Sequence, residues 1–304
     1  MSTLHALRAK QRALTIRATC LTAIRTFFNA RGFLEVETPV RVSAPALEPH
    51  LDAEPSGTCY LRTSPELHMK QLLCAGYERI YQMGPCFRQA EQGAWHRPEY
   101  TMLEWYRTPA DYQDILADTR ALLVAVSRAV NGEPTVHRNG RAWTLDGDWE
   151  VHTVRDLYQR WAGWDPVAAY EADRFDIDWV ERIVPVLEAI PTPVIVTDYP
   201  AAAAALARRK PGAPEVAERW ELFIAGVELA NAYSELTDPV EQQARFEACA
   251  RERQAAGRAV YPIDSAFMAA LEAGLPPCGG IALGIDRWVM LLADAQHIDE
   301  VNAF

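Results

Sequence analysis

The sequence contains no apolar run near the ~18 residues that a membrane-spanning helix needs, which argues against a membrane partner. It has no CxxC pair. Its six cysteines (Cys20, Cys59, Cys74, Cys86, Cys249 and Cys278) are widely scattered, unlike a zinc site or a small disulfide scaffold. A reducing cytoplasm is the simple inference. Positive charge is scarce: 30 Lys and Arg against 41 Asp and Glu give a formal net charge of −11. Nucleic-acid binders usually gather basic side chains to neutralise phosphates. Here the only basic clusters are the Arg-rich first 25 residues and the run Arg208 to Lys210, and both read as solvated surface. The N-terminal stretch MSTLHALRAKQRALTIRA lacks the apolar core and cleavage site of a signal peptide, so it reads as helix. Internal repeats, low-complexity linkers and a convincing second domain are also missing.

What is present fits one large α+β domain over residues 1–304. Hydrophobic residues make up 49% and charged residues 23%, an ordinary balance for a globular chain. Residues 4–31 carry Leu14, Ala18, Leu21, Ile24 and Phe28 at helical spacing, with Gly32 as the stop. FLEVETPV then alternates like a half-buried strand until Pro39. TSPELHMKQLLCAG has helix start signals: Thr63 or Ser64 can cap, Pro65 suits the first turn, and Gly76 can close. A capping box between Thr63 and Glu66 is the local expectation there. RIYQMGPCFR and YTMLEWYR read as strands joined by a long polar loop, followed by an amphipathic helix at 111–130. Residues 131–215 read as a variable insertion holding one apolar strand, PVIVTDYP, and an alanine run from Ala201 to Ala205. RWELFIAGVELANAYSEL reads as a hairpin turning at Ala225-Gly226, and GGIALGIDRWVMLLAD as a glycine-rich strand running into an apolar helix.

The hairpin makes a checkable prediction. A turn at Ala225-Gly226 pairs Phe223 with Glu228 and puts Glu221 on the same face, one diagonal step away. Two carboxylates on one sheet face call for a cation, and Mg²⁺ bridging phosphates would supply it. Asn231, Tyr233 and Glu235 share a face of opposite parity. If both sets line one pocket, a bulge must lie near Leu229-Ala230.

Four ordered segments, TSPELHMK, HRPEYTMLEWYR, GVELANAYSELTD and ALGIDRWVML, resemble the class II aminoacyl-tRNA synthetases, and within them the lysyl branch. The resemblance implies an antiparallel sheet flanked by helices, with ATP and Mg²⁺ as cofactors. It also implies a homodimer, because the first motif commonly builds a dimer interface. By that resemblance Arg88 acts on the α-phosphate. Tyr100 and Arg287 hold the two faces of adenine, with Arg287 also reaching the γ-phosphate. His96, Gln89, Ala90, Arg97, Leu229 and Gly284 flank the nucleotide. Glu221 and Glu228 are the metal carboxylates. Ser64, Pro65, Glu66, Glu104, Tyr106, Asn231, Tyr233, Glu235 and Ala282 form the amino-acid pocket. Three buried carboxylates beside a phenol need positive partners, and a substrate with two ammonium groups provides them.

Lysyl-tRNA synthetases carry an N-terminal anticodon-reading OB domain, for which the stretch before the first-motif helix leaves no room. The expected architecture therefore lacks tRNA anticodon binding and resembles the elongation factor P–(R)-β-lysine ligase family. That resemblance implies (R)-β-lysine as substrate and elongation factor P as acceptor. Ala282, where lysyl enzymes usually have glycine, agrees. A shortened enzyme using α-lysine and an inactive regulatory paralogue are the alternatives. Departures from the family pattern fall at Ala90, Trp95 and Arg97.

Overall fold

A computed structural model describes residues 3–204 and 206–304. Ala205, the last of the alanine run, and Met1 and Ser2 lie outside the described residues. The expected N-terminal helix is two helices, Thr3–Ala9 and Gln11–Asn29, broken at Lys10. The second buries Cys20, Ile24, Phe27 and Phe28 along one face. Gly32 follows at φ +72°, the left-handed conformation that glycine adopts without a Cβ penalty.

Eight strands form the path of the main sheet: β1 (Leu34–Glu35), β2 (Arg79–Phe87), β3 (Glu99–Arg107), β4 (Glu150–Thr153), β5 (Val194–Pro200), β6 (Ala213–Ile224), β7 (Val227–Ser234) and β8 (Gly279–Gly284). Their spatial order is β1-β2-β3-β8-β7-β6-β5-β4, with the short Arg209–Lys210 strand added to β6. The five inner pairings are antiparallel, while β1 with β2 and β5 with β4 are parallel. The sheet is thus antiparallel at its centre and mixed at both edges. FLEVETPV contributes only two paired residues. Beyond Val36, whose amide reaches the Tyr81 carbonyl, the Thr38 amide donates to the Gln82 side chain and the ladder ends.

Residues 131–215 are less separate than an insertion. PVIVTDYP is β5 as expected, and with β4 it extends the main sheet beside β6. A small hairpin, Thr135–Arg138 with Arg141–Thr144, packs instead against the helices Tyr112–Asn131 and Ile285–Ala293.

Side-chain alternation gives the sheet two unlike faces. Leu103 and Trp105 of β3, Ile281 and Leu283 of β8, and Trp220 and Leu222 of β6 join the core with Phe28 and Trp288. The helices Gln11–Asn29, Tyr112–Asn131 and Ile285–Ala293 cover this face. Burial contributes roughly 1.5–3 kcal/mol for a side chain the size of phenylalanine. The long helix is fixed at its start by an Asp111–Asp114 capping box and closed by left-handed Gly132. The opposite parity leaves Met102, Glu104 and Tyr106 of β3 and Gly280, Ala282 and Gly284 of β8 facing the other way, where the site lies.

Candidate active site

The β6–β7 hairpin sets the geometry. It turns at Ala225 and Gly226, with φ of 53° and 74°, the pair of positive angles a two-residue hairpin requires. Phe223 pairs with Glu228 but Leu222 pairs with Ala230, so Leu229 is an extra, bulged residue. The parity shift puts Asn231 opposite Glu221 and on the face of Glu228. The bulge expected from the sequence is therefore present.

Two cavities of about 670 and 440 Å³ open on this face. Arg88, Met102, Asn231 and Ala282 line both, so the two are continuous. The smaller holds the acidic residues. Ser64 Oγ donates to Glu104 Oε1 at 2.6 Å and Tyr106 Oη donates to Glu104 Oε2 at 2.9 Å. Burial pushes the Glu104 carboxyl up to about 8; Glu66 adds to this, while the Ser64 and Tyr106 hydrogen bonds oppose it.

Lys70, fully buried, lies 2.6 Å from Glu66 and 2.6 Å from Glu235. Burial works against its charge, but Glu235 and then Glu66 outweigh this and raise its pKa. The pocket thus supplies part of its own countercharge, which the reading of three uncompensated carboxylates did not include. It does not complete the job: burial still pushes Glu235 up to about 7 against the pull of Lys70, and Glu235 Oε1 has no hydrogen-bond partner among the described residues. The expected capping box is also absent. The Glu66 amide donates to Ser64 Oγ at 2.9 Å, the Glu66 carboxylate is taken by Lys70, and Thr63 Oγ1 is buried without a partner.

Gly280 forms the floor beneath this pocket. A methyl built there would overlap the Glu235 carboxylate and the Tyr106 ring. Both are buried, so neither can swing away into solvent. Gly280→Ala is expected to weaken binding of a lysine-type amino acid by about 5- to 150-fold, since overpacking typically costs 1–3 kcal/mol. Calorimetric titration of the folded variant measures this, and a loss under threefold would contradict the placement of the pocket.

The larger cavity gathers the cationic residues. Arg88 follows β2, its guanidinium carbon 5.2 Å from the Tyr100 ring centre, with Glu91 at 3.5 Å. Tyr100 Oη donates to the Thr63 carbonyl at 3.0 Å, which holds the ring in place. Arg287, in the first turn of the last helix, donates to the Glu228 carbonyl at 2.8 Å and meets its carboxylate at 3.4 Å. Its other nitrogen faces His96 Nε2 at 2.6 Å. A guanidinium has no acceptor, so this Nε2 accepts and the proton sits on Nδ1. Burial, followed by the Arg287 charge, lowers the His96 pKa and keeps the ring neutral. Trp95 lines the same cavity and lies under the Arg138 guanidinium at 4.3 Å. Arg97 reaches Asp299 at 3.7 Å. A side chain on Gly284 would meet only Arg287, at ordinary distances from 3.7 Å, so its absence keeps the cavity floor open.

Some expected residues are placed elsewhere. Pro65, Gln89, Ala90 and Glu221 line neither cavity. Gln89 and Ala90 form an exposed turn in which Ala90 has φ 61°, and the Gln89 amide donates to the Asp52 carbonyl. Glu221 is buried, with Arg219 at 2.5 Å on one carboxylate oxygen and the Tyr199 hydroxyl at 2.7 Å on the other. Its charge is therefore balanced by the protein, which corrects the expectation that only a cation could do so. Glu228 is different: 44% of its side chain is exposed and its only ion pair among the described residues is the long one to Arg287.

Several residues around the site carried no sequence signal. Arg219 and Tyr199 meet only because β5 pairs with β6. Glu48 lies on an irregular loop. Asp286 accepts from Arg17 and from the Thr101 amide, both at 2.6 Å, and so ties the first long helix to β3 and the last helix. Lys70 was within reach: ELHMK sets Glu66 and Lys70 at the i,i+4 spacing of a helical ion pair.

The family description tRNA synthetases class II (D, K and N) matches residues 3–304. The chain belongs to this family, whose synthetase-like ligases use ATP. Within it, the chain is 42% identical over 303 residues to an elongation factor P–(R)-β-lysine ligase of Vibrio cholerae, covering 95% of this chain and 93% of that protein. The corresponding protein of Proteus mirabilis is 40% identical with the same coverage. A lysine–tRNA ligase of Synechococcus is 38% identical over 315 residues, and there the match spans 62% of the relative's length. No helix among the described residues is long and apolar enough to cross a membrane.

Proposed function

We propose that this protein uses ATP to activate (R)-β-lysine as an adenylate and transfers it to a lysine side chain of elongation factor P. The observation that carries the substrate half is the acidic pocket. Buried Glu104 and Glu235 retain unmet demand for positive charge, and a diammonium substrate answers it with charge-assisted hydrogen bonds. The acceptor half rests on the near end-to-end match to ligases named for elongation factor P.

The joined cavities suggest the course of the reaction. The amino acid enters the smaller cavity with its carboxylate toward Arg88, and ATP fills the larger one between Tyr100 and Arg287. A carboxylate oxygen attacks the α-phosphorus, the bond to the β-phosphate oxygen breaks, and pyrophosphate leaves. Arg88 stabilises the charge that builds on the α-phosphate oxygens, while Arg287 and neutral His96 hold the leaving end. No protein nucleophile or base is needed, so positioning and electrostatics do the work. The acceptor's lysine amine then attacks the acyl carbon and AMP leaves. Ala282 lies where the two cavities meet, and its methyl shapes the passage in favour of an amino group moved one carbon along the chain.

Glu228 suits a divalent cation because its carboxylate is accessible and weakly engaged. Glu221 lies on the same sheet face, but Arg219 and the Tyr199 hydroxyl hold its two carboxylate oxygens, so Glu228 is the carboxylate placed for the cation. No cluster of three or more ligating side chains exists among the described residues, which fits Mg²⁺ held mainly by substrate phosphates rather than a protein cage. Bound there, Mg²⁺ would neutralise the phosphates. The reading also includes a homodimer and a cytoplasmic setting.

Glu104 gives the reading a pH signature. Its pKa of about 8 in the free protein means that an ammonium must displace a proton at neutral pH. Affinity for the amino acid should rise with pH toward 8 and fall by up to about tenfold per unit below it. The free fold shows the opposite trend. A carboxyl raised above its ordinary 4.5 gives stability that is full below pH 4.5 and lost as pH climbs to about 8. Titrations in buffers of different ionisation enthalpy count the released proton, and an affinity flat between about pH 6 and 8 would contradict the assignment.

Incubating elongation factor P with the enzyme, ATP, Mg²⁺ and (R)-β-lysine tests the whole reading. Intact mass should increase by one β-lysyl residue, and an unchanged mass would count against the acceptor. The lysine–tRNA ligase relatives favour L-lysine as a second reading, which the same assay with that amino acid examines.

A further inference from the structure

Glu48 takes no part in the scheme above, yet its side chain lines the amino-acid cavity beside Arg88 and Glu66. Among the described residues its carboxylate makes no hydrogen bond or ion pair. The charges that act on it most strongly are Arg88 and then Glu66; neither Glu104 nor Glu235 is among them. Its loop is tied to the turn after Arg88, where the Gln89 amide donates to the Asp52 carbonyl, so Glu48 stands at the Arg88 end of the pocket.

The protein holds that loop with care. Arg253, fully buried on the Pro239–Ala255 helix, donates to the carbonyls of Glu48 at 2.7 Å and Leu51 at 2.8 Å. It also meets the Asp52 carboxylate at 2.5 Å. An arginine buried this way spends its rigid fork of donors on fixing one backbone path. The loop is in turn joined to the turn after Arg88, because the Gln89 amide donates to the Asp52 carbonyl at 2.7 Å. The backbone segments that carry Glu48 and Arg88 are thus set relative to each other by the fold.

In the proposed reaction the substrate carboxylate faces Arg88, so the amino group one or two carbons away lies at this end of the pocket. The far ammonium, at the other end of the chain, goes to Glu104 and Glu235. We propose that Glu48 is a specificity-determining residue that receives the ammonium group nearest the reacting carboxylate. This rests on the lysine-type reading of the site. It divides the pocket's carboxylates between two positions.

The test compares wild type with Glu48→Gln, which keeps shape and removes charge, and with Glu48→Asp, which keeps charge. Three ligands are titrated calorimetrically: (R)-β-lysine, L-lysine and 6-aminohexanoate, which lacks the near amino group but keeps the far one. ATP is titrated separately. Loss of a hydrogen bond to a charged group should weaken whichever diamino acid the wild type binds by about 10- to 100-fold in Glu48→Gln. 6-Aminohexanoate and ATP should change by less than about threefold, and Glu48→Asp should recover part of the loss. Equal weakening of 6-aminohexanoate and the diamino acids, or weakening of ATP alone, would overturn the proposal. The first would make Glu48 a general pocket residue and the second a counterion for Arg88, and both would leave the adenylation reading standing. If wild type binds neither diamino acid, this proposal and the reading beneath it fail together.

Discussion

Replacing Lys70 by methionine should destabilise the fold by about 3–5 kcal/mol, the usual consequence of removing one partner from a buried ion pair. Methionine fills much of the volume, so the loss is electrostatic rather than a cavity. Lys70 has no exposed side-chain surface and stands between Glu66 and Glu235 at 2.6 Å from each. Without it, Glu235 has an ammonium neither at Oε2 nor at its already unpartnered Oε1. The carboxylate then ionises at a large cost or takes up a proton. Two further results separate this account from simple disruption. The deficit should shrink as pH falls and the carboxylates are neutralised, and Glu235→Gln in the same background should recover part of it. Denaturant unfolding at two pH values measures both. A loss under about 1 kcal/mol would mean that the ammonium contributes nothing net.

Arg88→Ala should lower ATP–pyrophosphate exchange by about a hundred- to a thousandfold, the range seen when a preorganised donor to a developing anion is removed. Arg88 lines both cavities and is the only cation to do so among the described residues. In the proposed reaction it is therefore the group that touches both the amino acid and the nucleotide. Its ion pair with Glu91 is long, 3.5 Å, and about a quarter of each side chain is exposed, so stability should change little. Arg88→Lys should recover only a small part, because a point charge cannot reproduce a planar fork against phosphate oxygens. A drop of less than tenfold with the fold intact would place the α-phosphate elsewhere.

The fold was legible where local rules decide. Positive φ at Ala225 and Gly226 follows from a two-residue turn between alternating strands. The bulge at Leu229 followed from requiring Glu228 and Asn231 to share a face, an argument that needs only the period of a strand. The N-terminal stretch was read as one helix where the chain breaks at Lys10, and FLEVETPV alternates although its ladder ends where the Thr38 amide donates to the Gln82 side chain. The site was less legible where the chain folds back on itself. Tyr199 stands far in sequence from the elements that carry the motifs, and its service to Glu221 depends on β5 pairing with β6, whereas Arg219 lies two residues from Glu221 on the same strand. Residues 131–215 read as an insertion for the same reason: parallel pairing of β4 with β5 leaves no local mark. Gly280 read only as part of a glycine-rich strand, because the crowding that excludes a side chain comes from Glu235 and Tyr106 on other strands.

The central claim is that the acidic pocket and the nucleotide cavity form one adenylating site for a lysine-type amino acid with a displaced amino group. ATP–pyrophosphate exchange with (R)-β-lysine and L-lysine side by side tests it most directly. The account predicts robust exchange that favours (R)-β-lysine. Exchange with neither amino acid, from a folded protein supplied with Mg²⁺, would contradict it.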